Sequence, residues 1–176
     1  MTRSIHRIGI LSATVLAMIA TPGVADDRTH LSGFNETPVT ISSTGSGEFK
    51  VRINHDGTAL DYQLNYRDLE SAVTQSHIHF GAPATTGGIV LFLCTNLAPP
   101  AGVPTPPACP PAPGEVKGTL TAANVIAIPA QSIDSGDTGF AEVLKAIRGG
   151  AAYANVHTTG HPSGEIRGPL PEGDNR

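Results

Sequence analysis

Hydrophobic and polar residues alternate along most of this chain, with the period of two that half-buried β-strands show. The clearest example is residues 49–53 and 60–66, two alternating segments separated by the turn at His55, Asp56 and Gly57. Such a pair around a short turn predicts a β-hairpin. Further strands are predicted over 29–36, 73–80, 89–94 and 115–121, and a second hairpin over 152–168.

One segment has a helical period instead. Four apolar residues are spaced i, i+3, i+4 and i+7, namely Phe140, Val143, Leu144 and Ile147. They predict one short helix near residues 139–148, and Gly149-Gly150 supplies a usual stop signal after it. Many short strands and one helix indicate an all-β fold, an antiparallel Greek-key sandwich or barrel of the immunoglobulin-like or superoxide-dismutase-like kind.

The N-terminus, residues 1–25, resembles a secretory signal peptide. Arg3 and Arg7 precede an apolar run over 8–20, and small residues follow. The run is shorter than the roughly 20 residues of a membrane span, which argues against an anchor. Cleavage after residue 25 would leave one domain, 26–176, secreted or periplasmic and without a membrane span. Loss of two arginines takes the net charge from −4 to −6, which argues against nucleic acid as a partner.

Residues 95–113 form neither pattern, because they hold eight prolines, which have no amide hydrogen for regular pairing. We interpret this segment as an irregular loop. The two cysteines of the chain, Cys94 and Cys109, flank most of it. A cysteine-based metal site would need a second cysteine pair or histidines at ligand spacing, and we find neither. In an exported protein the pattern therefore predicts a disulfide that closes the loop.

Three histidines are the candidate metal ligands. His77 and His79 are two residues apart in a predicted strand, so both side chains leave the same face. His157 lies in the predicted hairpin 152–168 and joins them if the two strands are neighbours. Three imidazoles without a thiolate or thioether favour copper, as Cu(II), as the first candidate ion and zinc as the second. Affinity for the ion would then fall below about pH 6.5, where free imidazole gains a proton.

Polar residues around His157 are candidates for orienting these ligands through hydrogen bonds: Asn155, Glu165 and Arg167. His161 follows in the turn and is an extra candidate ligand. The alternative is a structural network without metal, in which Glu165 hydrogen-bonds the histidines and Arg167 pairs with another acid or a backbone carbonyl.

Several short motifs in order make the chain resemble a CHRD domain, the module named after chordin. They are Leu31-Ser32-Gly33, Glu36-x-Pro38, Thr44-Gly45-Ser46-Gly47, His77-Ile78-His79-x-Gly81, Tyr153-x-Asn155-Val156-His157-Thr158 and Pro162-x-Gly164-Glu165-Ile166-Arg167-Gly168. The resemblance covers about residues 30–170, and the Pro-rich loop departs from it. It implies a secreted β-rich module of bacteria and of animal extracellular proteins, with no general enzymatic activity.

Three functions therefore stay open. The first is an exported binding module that holds a metal ion or presents its loops to an extracellular or periplasmic protein. The second is a metal-dependent redox enzyme of the superoxide-dismutase type, although the bridging histidine of that enzyme cannot be placed here. The third is a purely structural or protein-interaction module without metal. Nucleophilic catalysis has little support, because no serine stands in a Gly-x-Ser-x-Gly elbow.

Overall fold

The computed structural model of the protein describes residues 28–171. The predicted signal peptide, residues 1–25, lies outside the described residues. Between residues 28 and 171, no helix is long and apolar enough to cross a membrane.

Eight strands form one antiparallel sheet that curls into a nearly closed barrel, which confirms the predicted all-β fold. Along the sheet the strands follow the order β5-β4-β7-β8-β1-β2-β3-β6. The strands are β1 Arg28–Ser32, β2 Ser46–Ile53, β3 Ala59–Arg67, β4 Val73–Phe80, β5 Gly88–Thr95, β6 Gly114–Thr121, β7 Ala152–Thr158 and β8 Ile166–Pro169. Within residues 28–171, one α-helix, α1 Gly136–Arg148, precedes β7.

Several element boundaries differ from the predicted ones, and two of these differences have a clear cause. The first strand ends at Ser32 rather than at residue 36, because a 3-10 turn follows and the Gly33 carbonyl accepts hydrogen bonds from the Glu36 and Ile41 amides. Helix α1 begins before residue 139, at Gly136. Its first turn carries no large apolar side chain, so the helical period becomes visible only at Phe140.

The two edges of the sheet, β5 and β6, lie side by side without a regular ladder between them. Other groups satisfy the carbonyls of β5: the Tyr62 hydroxyl donates to the Leu93 carbonyl at 2.7 Å, and the Ile126 amide donates to the Val90 carbonyl at 3.0 Å. These contacts cover an edge that would otherwise be open to pairing with another chain.

The Pro-rich loop is fixed at its base. Cys94 and Cys109 form the predicted disulfide. Beside it, the Asn96 amide group donates to the carbonyls of Val73 and Cys109, each at 2.9 Å, and its oxygen accepts from the Cys109 amide at 3.0 Å. The loop is thus tied both to its own start and to β4, the strand that carries two of the candidate ligands.

Candidate metal centre

The pairing of β4 with β7 brings the candidate ligands together. His77 and His79 lie on β4, with Asn155 and Tyr153 of β7 directly opposite them in the register. His157 lies two residues further along β7 than Asn155, on the same face, since side chains in a strand repeat every second residue. The three imidazoles therefore project from two neighbouring strands into one place.

The three side chains are close enough to share an ion. One ring nitrogen from each can be chosen so that all three lie within 4.8 Å of one another. Bonds of about 2.0–2.1 Å from zinc or copper to imidazole require nitrogen–nitrogen separations of about 3.3–3.6 Å. Small side-chain movements would close that difference. The side chains are 1 %, 7 % and 8 % exposed, in the order His77, His79 and His157, so the centre is nearly closed to solvent.

Two of the histidines are held by backbone carbonyls. The Nδ1 atom of His79 lies 3.0 Å from the Gly87 carbonyl oxygen, and that of His157 lies 3.0 Å from the Pro162 carbonyl oxygen. A carbonyl can only accept, so each Nδ1 carries the proton and each Nε2 carries a free lone pair. Both Nε2 atoms are buried, and no group in the described part of the chain hydrogen-bonds them. Metal-binding histidines have this arrangement.

Both ring nitrogens of His77 are buried, and neither has a hydrogen-bond partner among the described residues. Its ring is held by packing instead, with the Phe92 ring in an edge contact at a centroid distance of 4.3 Å. Leaving a buried polar group unpaired costs about 1–3 kcal/mol. A structural network of the predicted kind would pair these nitrogens, and no group within residues 28–171 does so.

Burial also sets the charge of the cluster. It lowers the pKa of His77 to about 2, helped by the nearby His157 and His79. Burial lowers the pKa of His79 to about 4, partly offset by its hydrogen bond to the Gly87 carbonyl, and it lowers the pKa of His157 as well. All three rings are therefore neutral at pH 7, which is the form that binds a metal ion.

Arg167 and Tyr153 stand beside the cluster. The Tyr153 ring stacks on the His79 ring at 4.7 Å with an interplanar angle of 3°, and the Arg167 guanidinium lies 3.6 Å from the Tyr153 ring centroid. Arg167 also donates to the Thr37 hydroxyl and to the carbonyls of two loop residues, Pro83 and Thr85. As expected, Arg167 donates to backbone carbonyls, and its hydrogen bonds link two loops to this face of the sheet.

Glu165 does not hydrogen-bond the histidines, although both its predicted role in orienting the metal ligands and the structural-network alternative required such a bond. Its carboxylate accepts from the Ser43 hydroxyl at 2.6 Å, the Glu70 amide at 2.8 Å and the Thr158 hydroxyl at 2.7 Å. The prediction failed because β8 begins only at Ile166. Gly164 has φ of +128°, outside the strand region, so the period of two does not extend back to Glu165.

His161 is also separate from the cluster of three, since its Nε2 lies 2.9 Å from a carboxylate oxygen of Glu70. Asn155 is buried, and its amide group donates to Glu36 at 3.4 Å. Glu36, which lies 119 residues from Asn155 along the chain, was not among the predicted site residues. Burial raises the pKa of Glu36 to about 7, although the charge of Arg167 opposes this.

The Glu36–Asn155 pair is packed under Gly164. A Cβ atom at this glycine would lie 2.7 Å from both amide atoms of Asn155 and 2.8 Å from Glu36 Oε1. The oxygen atoms Glu36 Oε1 and Asn155 Oδ1 are buried and have no hydrogen-bond partner. The motif Glu36-x-Pro38 was the only feature of the sequence that pointed to this carboxyl group.

Comparison with known proteins identifies one family. The family model described as CHRD domain matches residues 28–170, which include every strand of the barrel and all three histidines of the cluster. Neither the curated proteins nor the solved structures contain a significant match. Because the match spans most of the sequence, the chain belongs to the CHRD domain family.

Proposed function

We propose that this protein is an exported CHRD-domain binding module that holds a metal ion, copper first and zinc second, through His77, His79 and His157. One observation carries the proposal: the ring nitrogens that face one another in this cluster are buried and have no hydrogen-bond partner. An ion would accept their lone pairs and offset the cost of burying them.

The identity of the donors supports copper or zinc over other ions. The cluster offers three imidazole nitrogens and, within residues 28–171, no carboxylate or thiolate joins it. Calcium and magnesium prefer oxygen ligands, whereas imidazole suits copper and zinc. Copper stands first because copper binds nitrogen ligands more tightly than zinc does in the usual order of divalent metals.

The proposed location is outside the cytoplasm, in the periplasm or secreted. The signal-like N-terminus supports export, and the disulfide Cys94–Cys109 is typical of oxidising compartments. The partner is the metal ion itself, or an extracellular or periplasmic protein that exchanges it.

The test is calorimetric titration of metal-free protein with Cu(II), with Zn(II) and, in the absence of oxygen, with Cu(I). We expect one ion per chain for the wild type and loss of that binding in the triple variant His77→Ala, His79→Ala and His157→Ala. The matched control is His55→Ala, since the His55 side chain is fully exposed in a turn and should not affect binding. Equal affinity of the wild type and the triple variant would refute the proposal.

A further inference from the structure

We infer that the three-histidine cluster selects monovalent copper, Cu(I), over the divalent ions Cu(II) and Zn(II). This inference rests on the proposed function and specifies the ion that the site takes. It reverses the order of copper oxidation states expected from the sequence, where the lack of a nearby methionine favoured Cu(II). Three features of the site support it: the charge of the ligands, the charge of the nearest cation and the number of ligands.

The ligand set carries no negative charge. Three neutral imidazoles face the ion, and within the described residues no carboxylate or thiolate belongs to the cluster. The charge of a bound ion would therefore remain uncompensated in a site that is 92 % or more buried at each ligand. The free-energy cost of moving an ion out of water grows with the square of its charge, so burying a dication costs about four times as much as burying a monocation.

The nearest buried cation adds to this penalty. The Tyr153 ring contacts both the Arg167 guanidinium and the His79 ring, and the charge of Arg167 acts on His79. The positive charge of Arg167 repels a dication twice as strongly as a monocation at the same distance. The acceptors of Arg167 are a hydroxyl and two carbonyls, which are neutral groups. Within residues 28–171 the guanidinium therefore has no carboxylate bonded directly to it.

Glu36 is the acidic group that interacts with Arg167. The guanidinium charge lowers the pKa of this carboxyl, yet burial raises it further and leaves it at about 7. Glu36 hydrogen-bonds Asn155 rather than a histidine. It can offset the charge of Arg167 only in part at neutral pH, so the surroundings of the cluster remain positive or neutral.

The number of ligands points the same way. Zinc takes a fourth ligand, from the protein in structural sites or as water in catalytic sites with three protein ligands, and Cu(II) favours tetragonal sites. Here three nitrogens converge at residues that are 92 % or more buried, and the other candidate, His161, is engaged with Glu70 at 2.9 Å. Cu(I) has a filled d shell and is satisfied by three ligands in a plane. A trigonal set of imidazoles therefore suits it without a further ligand from the chain.

The experiment is an oxygen-free competition titration of the wild-type protein. Cu(I) is measured against the chromophoric chelator bicinchoninate, and Cu(II) and Zn(II) against chelators of known affinity. We expect Cu(I) to bind at least 100-fold more tightly than Cu(II). The reduction potential of the bound copper should rise accordingly, by about 59 mV for each tenfold preference. Tighter or equal binding of Cu(II) or Zn(II) would overturn the inference.

Variants at Arg167 test the cause. Arg167→Lys keeps the charge and should keep the preference within a few-fold, whereas Arg167→Gln removes the charge and should lower the preference about tenfold or more. If Arg167→Gln does not fold, Glu36→Gln replaces it. Above pH 8 that substitution removes a negative charge and should increase the Cu(I) preference. An unchanged preference in folded Arg167→Gln would exclude Arg167 as the cause, and an unchanged preference in Glu36→Gln above pH 8 would exclude the charge of the surroundings as the cause.

The two proposals fail in different ways. If no ion binds, or if the triple histidine variant binds as the wild type does, the proposed metal centre itself is wrong. If an ion binds at the three histidines but a divalent ion is preferred, the metal centre stands and only the preference for Cu(I) is wrong.

Discussion

Two buried polar clusters meet at the β7–β8 hairpin, and they differ in how their hydrogen bonds are satisfied. Around Glu165, every acceptor oxygen has a donor: two hydroxyls and one backbone amide from three separate segments reach the carboxylate. Around His77, His79 and His157, four ring nitrogens are buried with no partner. The clusters share a strand, since Thr158 of the first follows His157 of the second.

The difference separates a stabilising element from a binding site. A satisfied carboxylate links the loops around Ser43 and Glu70 to the hairpin and gains from charge-assisted hydrogen bonds. The unsatisfied imidazoles cost folding free energy in the metal-free protein, and such a cost is retained where function requires it. Substitutions should therefore affect stability at one cluster and metal affinity at the other.

The largest expected effect is stabilisation of the histidine cluster by its ion. With free copper at about 1,000 times the dissociation constant, the free energy of unfolding should rise by about 4 kcal/mol. Urea denaturation with and without the ion measures this. The triple variant His77→Ala, His79→Ala and His157→Ala should show no rise. A rise of the same size in that variant would place the ion elsewhere.

Next in size is the loss of the Glu165 carboxylate. Glu165→Gln should lower the free energy of unfolding by about 1–3 kcal/mol, because a charged acceptor of three buried hydrogen bonds is removed. Copper affinity should stay within about twofold. The control Glu115→Gln, at an exposed site, should change stability by less than about 0.5 kcal/mol. If Glu165→Gln instead weakens copper binding with little effect on stability, the division between the clusters fails.

Replacing His77 should raise the free energy of unfolding rather than lower it. Replacing it with leucine removes two unpaired buried nitrogens and keeps an apolar side chain of similar size against Phe92. Metal-free His77→Leu should be more stable than the wild type by about 1–2 kcal/mol, while copper binding is lost. His55→Leu is the exposed control. Destabilisation by His77→Leu would mean that the imidazole has partners in solution that pair its nitrogens.

The smallest expected effect is that of pH on copper affinity. Burial lowers the pKa of His79 to about 4 and that of His77 to about 2, so protons do not compete for these nitrogens until the pH approaches 4. Affinity for the native protein should change less than about threefold between pH 7 and 5.5, in contrast to the loss below pH 6.5 expected from free imidazole. A tenfold loss of affinity over this range, measured by calorimetry, would show that the ligand histidines gain protons as free imidazole does.

Stability of the metal-free protein should respond to pH over the same interval. The unfolded chain binds protons at its histidines near pH 6.5, whereas the folded chain does so only at lower pH. Glu36 acts in the opposite direction, because burial raises its pKa to about 7, but three histidines outweigh one carboxyl group. The unfolded state therefore holds more protons in this range, and the free energy of unfolding should fall as the pH drops from about 6.5 toward 4. Urea denaturation at several pH values follows this fall.

The alternation of residues predicted much of the fold and the meeting of the histidines. The segment 73–80 coincides with β4, and the period of two places His77 and His79 on one face. The prediction of a common site for His157 depended on β4 and β7 being neighbours, which the pairing provides. Side-chain periodicity was sufficient because these residues lie within regular strands.

Other parts of the site could not be predicted, because they depend on loops and on long-range contacts. Glu165 lies one residue before β8, where the periodic rule no longer applies. The backbone carbonyls of Gly87 and Pro162 orient two imidazoles. Every residue has such a carbonyl, so these contacts leave no signal in the sequence. The irregular segment that follows β1 brings Glu36 within hydrogen-bond distance of Asn155.

The most direct test of the metal centre is the position of the ion. Crystals grown with copper under oxygen-free conditions, measured on both sides of the copper absorption edge, would locate it by anomalous scattering. We predict one peak per chain, about 2.0–2.1 Å from Nε2 of His79, from Nε2 of His157 and from one ring nitrogen of His77. A peak beside His161 and Glu70, with the three histidines unliganded, would contradict the account.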